Sequence, residues 1–182
     1  MKRYLYRFFL FLSVFPLGGS AESAPDPLGW LESAYLQPWG VRLTAKLDTG
    51  ARTSSIHARN IHVYDKDGEE WVSFTLPVGE KEGYDNGIDV ERPLIRKTRI
   101  KEHVGKSVLR YVVILDVCLN GKTYPAEVTL ADRSQFNYTL ILGRSMLGSN
   151  IIVDPGSKFI STDKSCPRKM HNHIETGIPD PG

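Results

Sequence analysis

The chain has 182 residues, 41% of them hydrophobic, enough for one globular domain with its own core. Its 23 basic and 21 acidic residues leave a net charge of +2, so composition offers no ground for polyanion binding, and no nucleic-acid partner is expected. The 16 glycines and 11 prolines, among many Val, Ile, Thr and Tyr, favour short strands and turns over long helices.

The N-terminus reads as a targeting signal. Lys2, Arg3 and Arg7 precede FFLFLSVFPLGG (residues 8–19), an apolar run too short to span a bilayer comfortably. Gly19, Ser20 and Ala21 supply the small residues that a signal peptidase reads, which predicts cleavage after Ala21 and export to a bacterial periplasm. The competing reading is an uncleaved anchor; no other segment is apolar enough to cross, so no membrane partner is expected after cleavage. Export makes a disulfide possible. Cys118 in a strand-like run and Cys166 in the tail permit one bridge, but a core thiol and a tail thiol are the simpler expectation.

Residues 22–29, ESAPDPLG, form a Pro-containing leader with little means of packing. A domain pattern runs from 30 to 162. Residues 41–47 alternate apolar with polar side chains and lead straight into Asp48, as a half-buried strand would. Residues 56–64 and 70–76 flank Asp-Lys-Asp-Gly, a hairpin turn, and residues 77–87 read as a loop. Two longer strands are predicted over 88–101 and 108–119, separated by EHVGKS (102–107). Asn120-Gly121 then makes the strongest hairpin signal in the chain and leads into a strand over 122–131. Residues 138–143 are apolar and end in Gly, residues 144–147 suit a short helix, and 151–153 and 158–161 close the domain around an Asp-Pro-Gly turn. The tail, 163–182, is expected to be flexible. The pattern is all-β, a barrel or sandwich.

The chemistry centres on LDTGARTSSIHA, residues 47–58. Asp48 at a strand end can be a plain turn residue or half of a carboxylate pair. Peptide hydrolysis by carboxylates needs two of them sharing one proton across a water, because two like charges about 3 Å apart cannot both ionise. The chain carries one Asp-Thr-Gly and no second copy, so such a pair requires two chains.

KLDTGARTSSIH (46–57), RYV (110–112), LILGR (140–144) and VDP (153–155) occur in order along the chain. This set resembles the retropepsin-like aspartic proteases, and most of all a bacterial family of that fold often labelled ATP-dependent zinc protease. The resemblance implies a closed retropepsin-like barrel, with one short helix near the C-terminus, that hydrolyses peptide or isopeptide bonds as a homodimer without a cofactor. On this resemblance Asp48 is the catalytic carboxylate, Thr49 binds its counterpart across the dimer axis, and Gly50 lets backbone N–H groups approach. Gly105 would sit at the tip of a substrate-closing flap, and Leu142 and Gly143 would pack beneath the active loop. Family members often occur beside amide-ligase partners, which points to peptide or protein substrates of acidic character.

Two departures stand out. Where retroviral members carry an Asp that ion-pairs with the Arg of the later segment, this chain has Arg52. A guanidinium there suits a carboxylate-bearing substrate, or else it bonds to nearby carbonyls. The hairpin over 56–76 is also longer than a minimal member needs. The zinc label finds little in the sequence: there is no His-Glu-x-x-His, and His57, His62, His103, His171 and His173 are dispersed. His57 and His62, five apart on one strand, should face opposite ways. His57 is expected to pack or hydrogen-bond just behind the active loop. Cys166 with His171 and His173 is the other conceivable donor set, in a tail without rigidity, and no metal ligand is assigned. A zinc peptidase and a non-catalytic peptide-binding module remain the alternatives.

Overall fold

The computed structural model describes residues 25–78, 86–101, 107–148, 151–161 and 166. Gly105, the signal segment and the tail histidines lie outside these residues. The strands are β1 (Asp26–Gln37), β2 (Val41–Asp48), β3 (Ser54–His57), β4 (Arg59–Lys66), β5 (Glu69–Leu76), β6 (Ile88–Pro93), β7 (Arg96–Lys101), β8 (Ser107–Leu119), β9 (Lys122–Ala131), β10 (Leu140–Gly143) and β11 (Ile151–Lys158). One short helix among the described residues, α1 (Arg144–Leu147), follows β10.

An eight-stranded sheet runs β11-β1-β2-β10-β3-β9-β8-β7, and a further pairing of β1 with β8 joins Ala34 to Leu119 and Gln37 to Asp116. That pairing closes β1, β2, β10, β3, β9 and β8 into a ring, with β11 and β7 as branches. Closure leaves no bare edge within the ring itself, and the outer edges pass to the two branches. A second sheet, β4-β5-β6, packs on the ring through Val72, Phe74, Leu76, Ile88 and Val90, which belong to the same core cluster as Leu36, Ile56, Leu115, Leu130 and Leu140.

Local chemistry accounts for most of these elements. In β2, Val41, Ala45 and Leu47 are buried while Arg42 and Thr44 face out, the alternation of a strand lying on a core. Asn120 and Gly121 both adopt positive φ (50° and 76°), as do Asp67 and Gly68 (55° and 83°), so each hairpin closes through two left-handed residues whose twist matches the strands.

Four expectations change. The leader is not loose up to residue 29: β1 begins at Asp26, and Leu28 is buried. Gly29 permits this, since a Cβ there would fall 2.6 Å from the Ser157 carbonyl oxygen of the neighbouring strand. The strand expected over 88–101 is two strands in two sheets. β6 ends at Pro93, which has no N–H to extend a ladder. The Leu94 amide then donates to the Glu70 carbonyl (2.8 Å) in the small sheet, and the Ile95 amide to that of Val112 (2.9 Å) in the ring. Residues 56–64 divide in the same way at Ala58, so His57 and His62 occupy different strands in different sheets. The Asp-Pro-Gly turn is absorbed into β11. Asp154 accepts from the Gly156 amide (2.8 Å) and from Ser157 Oγ (2.6 Å), while pairing with β1 jumps from Gly29–Asp154 to Leu31–Lys158, a bulge built from turn chemistry.

The cysteines also depart from expectation. Cys118 and Cys166, 48 residues apart with Cα atoms 5.8 Å apart, form a disulfide. Both are buried, and the bridge ties the chain beyond β11 to β8.

Candidate functional site

Asp48 is the last residue of β2 and lies opposite Gly143, the last of β10, just as Leu47 lies opposite Leu142. The two strands run parallel, so two strand ends meet at one place, and Thr49 and Gly50 stand exposed beyond them. Leu142 is fully buried beneath. The loop after the triplet is fixed by α1. The Arg144 amide donates to the Ala51 carbonyl and the Ser145 amide to that of Arg52, both at 2.9 Å. The Arg144 guanidinium also donates to the carbonyls of Thr49 (2.6 Å) and Gly50 (3.0 Å). This is how the chain manages without an acid at position 52: the later Arg grips backbone oxygens of the Asp-Thr-Gly loop instead of a carboxylate.

The hydroxyl residues that follow Arg52 serve the same loop. Ser54 Oγ accepts the Gly143 amide (3.1 Å), Thr129 Oγ1 donates to the Ser54 carbonyl (3.0 Å), and Thr53 Oγ1 accepts from Arg96 (3.2 Å). Gly143 lies so close under the loop that a Cβ would fall 2.8 Å from the Thr53 carbonyl carbon and 2.9 Å from the Arg52 oxygen. Those are backbone atoms, so the loop itself would have to shift. Gly143→Ala is therefore expected to cost about 1–3 kcal/mol by overpacking, read from urea unfolding, and to lower any hydrolytic rate at least tenfold.

Both oxygens of Asp48 are engaged. Oδ1 accepts the Gly50 amide and Oδ2 the Lys46 ammonium, each at 3.0 Å. Partial burial alone would raise its pKa. The Lys46 hydrogen bond, the Gly50 amide, the Lys46 charge and the Ala51 amide outweigh burial and hold the carboxyl below the usual carboxylate range. The pair thus adds stability above the ordinary carboxylate pKa and loses that contribution as pH falls through the lowered native value.

Beside the loop lies a cleft of about 810 Å³, bounded by residues 51–53, β7, β8 and the segment after β9. Arg52, Arg96, Arg110 and Arg133 line it, with Glu127 as the acid among the lining residues. Arg96 is paired with Glu127 (2.9 Å). Among the described residues, no ion pair joins Arg52, Arg110 or Arg133 to a carboxylate. Arg133 is only 7% exposed, with Nε donating to the Tyr138 carbonyl (3.1 Å) and its guanidinium 4.6 Å from the Phe136 ring centre. Burial, then the charge of Arg110, press its pKa down, while the Asp48 carboxylate draws it up. The cleft therefore gathers positive charge that the fold does not neutralise. Sequence reasoning gave a binding role to Arg52 alone and met Arg110 only as part of RYV; Arg96, Arg110 and Arg133 belong to separate elements that the sheet register brings together.

Among the described residues, the available donors are taken up in other ways. His57 Nδ1 accepts the Arg133 amide (2.9 Å), and His62 stacks on Tyr64 with ring centres 6.2 Å apart. Cys166 is bound in the disulfide, so it offers no thiolate. Among the described residues, no three His, Cys, Asp or Glu converge as a ligand set. His57 instead holds the segment that carries Arg133.

A family model described as RimB-like, the retropepsin-like aspartic endopeptidase RimB, matches residues 27–164. A Legionella pneumophila protein of unknown function, known from a crystal structure, is 32% identical at a TM-score of 0.65, covering 78% of this chain and all of that one. A probable alpha-L-glutamate ligase of Desulfotalea psychrophila is 39% identical over 116 residues, 62% of this chain and 24% of that protein. One of the same name from Shewanella pealeana is 36% identical over 123 residues, 67% of this chain and 26% of that protein. The chain thus spans about a quarter of the length of these curated relatives.

Proposed function

Since the chain belongs to the RimB-like family of retropepsin-like aspartic endopeptidases, we propose that it is an exported peptidase that hydrolyses peptide or isopeptide bonds of acidic substrates as a homodimer. The observation that carries this reading is the position of Asp48: a strand-end carboxylate on a loop fastened by α1, next to an arginine-lined cleft. One Asp48 from each chain would form the pair, one protonated and one ionised, which activates water for attack on the scissile carbonyl. Thr49 and Gly50, exposed at the loop tip, would meet their counterparts in such a dimer. A single-chain mechanism would need another acid. Asp132 accepts its own turn's Ser134 amide (2.8 Å) and Asp154 holds the bulge in β11, so both are engaged elsewhere.

An acidic substrate is supported by the chemistry of the cleft. Arg133 is buried, Arg110 half-buried and Arg52 exposed at the cleft; a guanidinium offers a carboxylate two parallel hydrogen bonds, which gain strength where water is partly excluded. A hydrolase segment akin to part of proteins named as glutamate ligases suits a substrate rich in glutamate. The disulfide suits an oxidising compartment and therefore export.

The test uses matched peptides that differ only in Glu against Gln. Wild-type protein is expected to prefer Glu, with specific activity rising with protein concentration as chains pair, followed in parallel by sedimentation. Arg52→Ala and Arg133→Ala should each lower kcat/KM on the Glu peptide by roughly 10- to 100-fold, the loss of a charge-assisted bond of about 1.5–3 kcal/mol, and leave the Gln peptide nearly unchanged. Equal losses on both peptides would remove these arginines from substrate binding. Full activity in a strictly monomeric protein would remove the two-chain mechanism.

A further inference from the structure

Lys46 lies two residues before Asp48, and strand alternation puts the two side chains on one face of β2. Its ammonium rests 3.0 Å from Oδ2, and the Gly50 amide occupies Oδ1 at the same distance, so a single chain satisfies both oxygens of its own Asp48. The other charged groups around Asp48 are also cations. Arg133, from the segment after β9, feels the Asp48 charge directly. Arg144, from α1, is turned to the carbonyls of Thr49 and Gly50. Across the ladder, β10 presents only the Gly143 backbone. No ion pair among the described residues places an acid at Lys46 other than Asp48.

A pair of carboxylates normally takes up its shared proton readily, because proton uptake relieves their mutual repulsion. An ammonium in contact with each carboxylate relieves the same repulsion without a proton. We propose that Lys46 sets the proton state of the Asp48 pair, holding both carboxylates ionised until the medium is acidic, so that the singly protonated, working form exists on the acid side of neutrality. This deepens the peptidase reading of Asp48 and rests on it. The sign follows from the charge: removing the ammonium favours proton uptake, so the singly protonated pair survives to higher pH. The depressed carboxyl already present in one chain acts in the same direction.

The experiment is the pH dependence of kcat/KM for the full chain and for Lys46→Met and Lys46→Arg, with the titration of the Asp48 carboxyl carbon followed by NMR in each. The alkaline limb of the Met profile is expected to move up by at least about one pH unit, while the Arg variant stays with wild type. In wild-type protein dilute enough to be unpaired, the Asp48 carboxyl should titrate below an ordinary aspartate, and in the Met variant above wild type. An unmoved alkaline limb in an active Met variant overturns the proposal. So does an ordinary Asp48 titration in the unpaired wild-type chain, a result that needs no variant to fold. If the Asp48 titration follows Lys46 but no variant cleaves any peptide at any pH, the hold of Lys46 is supported and the peptidase reading falls.

Discussion

Asp48→Asn is expected to leave the barrel folded and to lower hydrolysis by roughly 10²–10⁴-fold, the usual contribution of a positioned general acid–base group. Asn keeps an oxygen for the Gly50 amide, so the loop retains one of its two anchors at this side chain. The lost partner is an ion pair whose side chains are 37% and 25% exposed, the kind that adds at most about 1 kcal/mol in water. What disappears is the ability to share a proton. Strong chelators should change activity far less, since the described residues bring no fitting zinc ligands together. Activity assays with the Asn variant and with chelated wild type, beside a urea melt of each, separate the mechanisms. Inactivation by chelation with retained activity in Asp48→Asn would reverse the reading.

Glu32 carries the second large effect, on stability instead of rate. It lies in β1, fully buried, and accepts from the Gly29 amide (2.8 Å), the Ile160 amide (3.0 Å) and Ser161 Oγ (2.7 Å), with a longer contact from the Ser161 amide (3.3 Å). With the Phe159 amide donating to Leu31 (2.8 Å), these bonds fasten the residues after β11 along β1. Glu32→Ala strands several donors at once and is expected to cost about 3–5 kcal/mol, given about 1–3 kcal/mol for each buried group left unmatched. Glu32→Gln keeps one oxygen for Gly29 and Ile160 but turns an NH₂ toward Ser161, so roughly half that loss is expected. Urea unfolding at neutral pH reads both. Equal, small losses would mean that water replaces the carboxylate and that the clamp is not structural.

The pattern of what the sequence revealed follows from range. Asn120-Gly121 and Asp67-Gly68 act within four residues, and their turns form where local chemistry places them. The strand leading into Asp48 and the short helix after Gly143 were legible for the same reason, each carrying its own periodicity or stop signal. β1 was hidden because it serves three neighbours. It pairs with β11, then β2, then β8, so its edges are used by different partners along its length, and the neighbours Leu31 and Glu32 are both buried, which breaks simple alternation. The break at Leu94–Ile95 has one local sign, Pro93, which a long β-prone run outweighed. The arginine cleft had little: Arg110 stood out only as part of RYV, with no role attached, and Arg96 and Arg133 are ordinary surface-looking residues until β7, β8 and β9 are aligned.

The parallel pairing of β1 with β11 has a consequence for assembly of the chain itself. Asp26 meets Ile151, so the first strand of the barrel finds one of its partners 125 residues later. It finds another, near Leu119, only after most of the chain exists. During synthesis, β1 can form its hairpin with β2 at once, as β4 can with β5 and β8 with β9, but its pairings with β8 and β11 must wait. Completion of the ring is therefore a late, whole-chain event, slow in the manner of folds dominated by distant contacts. Asp48 and Gly143 are brought side by side in that same closing stage, so a truncated or half-made chain would hold the Asp-Thr-Gly triplet without the platform on which it stands.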